Sequence, residues 1–192
     1  MRNVWYNDSM NYSVEIIRSR RRTLSLEVKP DGRVIARAPM RMKQSDIDRF
    51  IGEKSAWIEK HLQKVTTAQL SAEKLTDEDI RSLTEEAQRY IPQRVEHFAP
   101  IVGVDFGRIT IRNQKTKWGS CSAKGNLSFN CLLMLTPPEV IDSVVVHELC
   151  HRKEMNHSKR FYDEVLRVYP DYKRWNKWLK DNETALMTRR FY

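Results

Sequence analysis

The stretch His147-Glu148-Leu149-Cys150-His151 decides the reading of this chain. On a helix, residues four apart share one face about a turn apart, so His147 and His151 can grip a single ion. Glu148 lies beside that face, where a carboxylate can handle the proton of a metal-activated water. His157 follows, so that three of the chain's five histidines fall within eleven positions. With this composition, roughly one shuffled sequence in a hundred would carry the pattern by chance. Pro137 and Pro138 stand ahead of it, and proline suits the first turn of a helix. Val140, Ile141, Val144, Val145, Val146, Leu149 and Cys150 leave almost no polar face, which predicts a buried helix. Histidine and glutamate on a buried helix must be satisfied by partners, and a metal supplies one.

A catalytic zinc usually takes three protein ligands and leaves a position for water or substrate. His147 and His151 supply two, and His157 is the expected third. It follows Asn156, which tolerates the left-handed turn that ends many helices, and precedes Ser158, which can cap the next one. Glu154 competes for the same role if the helix continues that far, or could orient a histidine ring. Asp163 and Glu164 are more remote candidates. Cys150 flanks the ligand face on the side away from Glu148 and reads as a small core residue. Arg160, Tyr162 and Tyr169 are candidate stabilisers of a developing oxyanion, though nothing in the sequence places them near the metal.

The 192 residues suit one domain or a compact domain with a smaller companion, and 40% apolar with 31% charged residues describe a globular chain. The first residues, Met1 to Asp8, lack the apolar stretch of a secretory signal, and no run is long enough to span a bilayer. Cys121, Cys131 and Cys150 are an odd number without CxxC spacing, which argues against a disulfide framework or a second, structural zinc. A reducing, cytoplasmic setting is expected. The net charge of +9 favours anionic partners. Much of it crowds one segment, with Arg18, Arg20, Arg21, Arg22, Lys29, Arg33, Arg37, Arg41 and Lys43 against Glu27 and Asp31. That segment reads equally as a solvated face or an anion-binding patch.

Tyr12 to Arg18, Thr23 to Lys29 and Val34 to Ala38 alternate as half-buried strands, and Pro30-Asp31-Gly32 turns the last two into a hairpin or a three-stranded meander. Ser45 can cap one helix carrying Ile47, Phe50, Ile51, Trp57, Ile58 and Leu62 at helical spacing, with Trp57 in the core. Residues 66–74 read as a linker. These assignments predict an N-terminal β-rich subdomain with one helix over residues 1–66 and a metallohydrolase core over 76–192. Thr76 to Asp79 forms a capping box opening a helix to about Phe98, which Pro92 should kink or divide. His97, on that helix, reads as structural. Gly107 to Arg112 reads as a strand, Trp118 to Gly125 as a loop, and Leu127 to Leu135 as a buried or edge strand. Helices are expected from Ser158 to Val168 and from Asp171 to Lys180.

The arrangement Lys117-Trp118-Gly119-Ser120-Cys121-Ser122, Leu127-Ser128-Phe129-Asn130, then His147 to His151 with Met155-Asn156-His157-Ser158, resembles the YgjP-like metallopeptidase family. The likeness extends to Arg21 to Leu26, Asp31 to Val34 and Ala36 to Pro39, and covers about residues 15 to 180. These are zincins akin to the SprT-like proteases. The resemblance implies an α+β fold, in which a zincin-like core packs the metal helix on a small sheet beside an N-terminal β subdomain. It implies one zinc ion on His147, His151 and His157, with Glu148 as catalyst. A fold does not fix a substrate. The leading expectation is hydrolysis of a peptide or protein, with the strand near Leu127 to Leu135 as an edge for an extended chain. Alternatives are phosphoanhydride hydrolysis of a nucleotide, or a nucleic-acid-associated protein whose basic patch binds DNA while zinc acts on DNA-linked proteins.

Overall fold

The structure, a computed structural model, describes residues 2–6, 12–71 and 74–189. It is an α+β fold whose described residues form two compact units, dividing between residues 73 and 74. In the first unit, β1 (Arg2–Tyr6), β2 (Ser13–Ser19), β3 (Ser25–Val28) and β4 (Val34–Pro39) form one sheet in the order β1-β2-β4-β3. The β3–β4 hairpin is present, closed by Gly32 at φ 84° and by the Gly32 amide donating to the Lys29 carbonyl. No meander forms. Strand β4 enters between β2 and β3 and runs parallel to β2, pairing Val14 with Val34 and Ile16 with Ala36. Period-two patterning assigns a face to each strand but does not order the strands, so the meander could not be told from this insertion. Val14, Ile16, Val34, Ala36 and Ala38 are buried against Ile47, Ile51 and Ile58.

Those isoleucines lie on two helices, not one: α1 (Gln44–Glu53) and α2 (Ser55–Ser71) break at Lys54 (φ −101°, ψ 8°). Lys43 occupies the N-cap of α1, without a side-chain hydrogen bond, so the expected Ser45 cap falls inside the helix. Helix α2 runs through most of the expected linker, because residues there are polar without being helix breakers. Trp57, expected in the core, is exposed and packs at a tilt against His61 one turn further along, with ring centroids 4.0 Å apart.

The second unit opens with α3 (Asp77–Val102), a 26-residue helix. Its capping box is complete: the Asp79 amide donates to Thr76 Oγ1 and the Thr76 amide donates to the Asp79 carboxylate. Pro92 does not divide it, and it ends at Gly103, whose φ of 78° supplies the left-handed cap. His97 lies exposed on this helix. A three-stranded sheet follows from β5 (Ile109–Arg112), β6 (Gly119–Cys121) and β7 (Leu127–Asn130), in the order β5-β7-β6. The Trp118 to Gly125 stretch expected as a loop therefore contains a strand. Glycine and serine gave it no strand signature, yet Gly119 pairs with Phe129 and Cys121 with Leu127. Strand β7 is central, not an edge, and ends at Asn130, where a 3₁₀ turn (Cys131–Leu135) takes over.

Helix α4 (Pro138–Cys150) starts with Pro137 at its N-cap and Pro138 at its first position. Nine of its thirteen residues are buried, and it packs on α3. Helices α5 (Lys159–Val168), capped by Ser158 accepting from the Phe161 amide, and α6 (Tyr172–Thr188) complete the chain. The core joins Ile91, Val95 and Phe98 of α3 to Val145, Val146 and Leu149 of α4, with Phe129 and Phe161 among the fully buried side chains. Between α4, the start of α6 and β6 lies a cleft of about 450 Å³. Among the described residues, no helix is long and apolar enough to cross a membrane.

Candidate metal centre

Three imidazoles converge at the floor of this cleft. His147 comes from the last turn of α4, His151 caps the helix, and His157 returns from the loop before α5. Their ligand atoms lie within 4.8 Å of one another. His147 Nε2 and His157 Nε2 are 3.0 Å apart. Two nitrogens held about 2.0–2.1 Å from a tetrahedral zinc stand roughly 3.3 Å apart, so the His147–His157 pair is within a few tenths of an ångström of the spacing a shared ion needs. An all-nitrogen donor set of neutral imidazoles suits zinc, and His147 is held neutral: burial first, then the neighbouring His151 and His157, lower it to about 3. The residues fit a zinc ion.

The loop that brings His157 back does not use a left-handed Asn156. Among the described residues, no residue other than glycine has positive φ. The turn is made by right-handed residues directly after the helix, with the Arg152 amide on the Leu149 carbonyl and the Lys153 amide on that of Cys150. Because the helix has already ended, Glu154 is not on the ligand face. Its contribution is its backbone carbonyl, which accepts from His151 Nδ1 at 3.1 Å, rather than its carboxylate. Glu164 is bound to Lys153 at 2.6 Å and to Arg167 at 2.7 Å, and those cations, Arg167 first, hold its carboxyl at about 2. Neither Asp163 nor Glu164 belongs to the histidine cluster. Cys150 is fully buried in the core, and burial pushes its thiol up to about 12.

Glu148 lines the same cleft, 6% exposed. Burial raises its carboxyl to about 8, opposed by the charge of Lys117 and a hydrogen bond from the Cys121 amide. Strand β6 thus serves the site directly. A Cβ on Gly119 would fall 2.6 Å from Glu148 Oε1 and 2.7 Å from its Cγ, so the carboxylate sits where only glycine leaves room. The segment leading into β6 is held by Asn130, fully buried at the end of β7. Its Nδ2 donates to the Gln114 and Lys117 carbonyls, both at 2.9 Å, and its Oδ1 accepts from the Leu132 amide.

Sequence reasoning missed three contributors. Gly119 gave no signal beyond its smallness. Phe161 is fully buried, with its ring centroid 4.6–4.9 Å from each of the three imidazoles. Tyr172, first residue of α6, places its hydroxyl 2.8 Å from His147 Nδ1. Burial holds its phenol above the ordinary range. Of the suggested stabilisers, Tyr169 donates to the Glu139 carbonyl and is not among the cleft-lining residues. Tyr162 stacks on His157 at 6.1 Å, and Arg160 is exposed on α5. In the basic segment, Lys29 and Arg37 face Glu27, Arg33 faces Asp31, and Arg18 bonds the Met42 carbonyl at 2.6 Å, so part of that charge is engaged internally.

The family model described as YgjP-like, metallopeptidase domain, matches residues 22–81 and 65–182, most of the chain. Two solved structures are similar to part of it. The metallopeptidase zymogen abylysin of Pyrococcus abyssi is 24% identical with a TM-score of 0.44, covering 48% of this chain and 95% of its own. The metallopeptidase zymogen jannalysin of Methanocaldococcus jannaschii is 20% identical, also with a TM-score of 0.44, covering 48% and 96%. No curated protein matches.

Proposed function

We propose a single-zinc peptidase mechanism for this chain, which belongs to the YgjP-like metallopeptidase-domain family. In this reading His147, His151 and His157 hold the ion and Glu148 is the general base. Bound zinc supplies Lewis acidity, polarising a carbonyl and making water nucleophilic near neutral pH. Glu148 accepts the proton that the attacking water loses and returns it to the leaving amine. Its buried position suits the first step, since a carboxylate whose pKa is raised towards neutrality is a stronger base than an ordinary one. Lys117 lies close enough to act on Glu148 electrostatically and lines the same cleft.

The convergence of three histidines beside a buried glutamate carries this reading. The substrate edge is reassigned from β7 to β6, which is the outer strand of its sheet on the cleft side. Its outer edge, where the Cys121 amide already meets Glu148, suits a short stretch of extended peptide. A nucleotide is the poorer fit: among the described residues lining the cleft, Lys117 is the only lysine or arginine, and it lies beside a carboxylate.

The test is hydrolysis of an unstructured protein by the zinc-loaded chain and by Glu148→Gln. The variant should lose about 10²–10⁴-fold in kcat while retaining one zinc per chain. Comparable rates in both proteins would remove Glu148 from the mechanism. Loss of zinc by the variant would make it a ligand instead.

A further inference from the structure

Each imidazole has two nitrogens, and a metal can take only the one without a proton. For His151 the choice is forced. Its Nδ1 faces the Glu154 carbonyl, which can only accept, so Nδ1 carries the proton and Nε2 is left for a cation. For His147 and His157 the Nε2 atoms face each other at 3.0 Å, and ligation through them requires both to be unprotonated. His147 must then carry its proton on Nδ1. The group that meets that nitrogen is the Tyr172 hydroxyl, at 2.8 Å. A hydroxyl oxygen accepts from Nδ1–H while its own proton turns towards the cleft that Tyr172 lines.

The surroundings leave this contact a definite task. Phe161 packs edge-on against the His147 ring at 4.9 Å and the Tyr172 ring lies nearly parallel to it, at 19°. Packing therefore restricts the plane of the imidazole but is indifferent to which nitrogen bears hydrogen. The hydrogen bond at Nδ1 is the contact that depends on it, because Tyr172 accepts there when Nε2 is the nitrogen left for the metal. Tyr172 is 5% exposed, and its amide is anchored on the Tyr169 carbonyl at the start of α6, so the hydroxyl is held in place by the fold.

We propose that Tyr172 is a positioning residue that holds His147 in the Nδ1–H tautomer and so presents its Nε2 to the metal. The inference rests on the reading of the three histidines as ligands and adds to it the group that tunes one of them. Outer partners of metal-bound histidines typically contribute 10–100-fold to metal affinity.

Tyr172→Phe removes the hydroxyl and keeps the ring. Zinc affinity, measured by competition with a chromophoric chelator, should fall by about 10–100-fold, and the visible bands of the cobalt-substituted protein should shift. Tyr162→Phe is the control, because its ring lies 6.4 Å from that of Tyr172 and it loses a hydroxyl without a bond to His147. Its zinc affinity should match wild type. Equal affinity in Tyr172→Phe and wild type, or equal losses in the two variants, would overturn the proposal. Nitrogen NMR of the zinc-loaded wild type tests the same point without a variant: a proton on His147 Nδ1 is expected, and ligation through Nδ1 would refute it. Failure of the wild type to bind zinc tightly would instead sink the three-histidine reading on which this one stands.

Discussion

Gly119→Ala tests whether Glu148 is positioned by the backbone of β6. The added methyl would sit 2.6 Å from Oε1, 2.7 Å from Cγ and 2.9 Å from Cδ of Glu148, where ordinary contact begins at 3.4 Å. The deficit is about 0.5–0.8 Å at three atoms, two of them not at the end of the side chain. Rotating the carboxylate alone does not relieve the contact at Cγ, so the whole side chain or the strand must shift. Overpacking of this kind costs about 1–3 kcal/mol of stability. A displacement approaching 1 Å at a reacting group can cost about a hundredfold in rate, so kcat should fall about 10–100-fold, equivalent to about 1.4–2.7 kcal/mol. The three atoms nearest the methyl all belong to Glu148, so zinc content should stay at one per chain. The assay compares hydrolysis of an unstructured protein, metal content and thermal unfolding in the two proteins. A variant within about threefold of wild-type kcat, with an unchanged melting midpoint, would show that Glu148 does not rest on Gly119.

Glu148 should also govern the pH dependence of the metal-free protein. Its folded value of about 8 lies above the ordinary 4.5, so the stability it contributes is complete below about pH 4.5 and is lost as pH rises through 8. Chelator-treated Glu148→Gln should therefore gain on wild type between about pH 5 and pH 9, on the order of a few kcal/mol in denaturant unfolding; a gap independent of pH contradicts this. His147 acts oppositely, contributing above 6.5 and losing that contribution as pH falls towards 3, but it does so in both proteins and cancels. Asn130→Ala leaves the carbonyls of Gln114 and Lys117 and the amide of Leu132 without their partner, and should cost about 3–5 kcal/mol by urea denaturation. A loss below about 1 kcal/mol would show that the segment holds itself. His157→Ala should weaken zinc by at least tenfold in chelator competition while leaving the metal-free melting midpoint nearly unchanged, because His157 is exposed; unchanged zinc affinity would remove it from the ligand set.

What the sequence disclosed, and what it withheld, divides by the range of the interaction. Local devices were legible because their partners are neighbours in the chain. The capping box at Thr76, the proline start of α4, the Ser158 cap and the glycine turn at Gly32 all rest on bonds spanning five residues or fewer. The histidine cluster was legible for the same reason, since one helical turn and one short return bring it together. Strand order was not, because parallel pairing of β2 with β4 depends on which edge of a hairpin docks, and alternation along a strand carries no such information.

The groups around the cluster were hidden by a different cause. Tyr172 is twenty-five residues from His147, and Gly119 twenty-nine from Glu148; each is recognisable only once α6 and β6 are folded against α4. A tyrosine at a helix start and a glycine in a small-residue stretch carry no signature of what they touch. The motif therefore reports which residues could hold a metal. The tautomer, reach and burial of those residues are set by others that the motif does not contain. A chain with the same five residues but a methyl at position 119 or a phenylalanine at 172 would keep the sequence signal while displacing Glu148 in the first case and weakening the hold on zinc in the second.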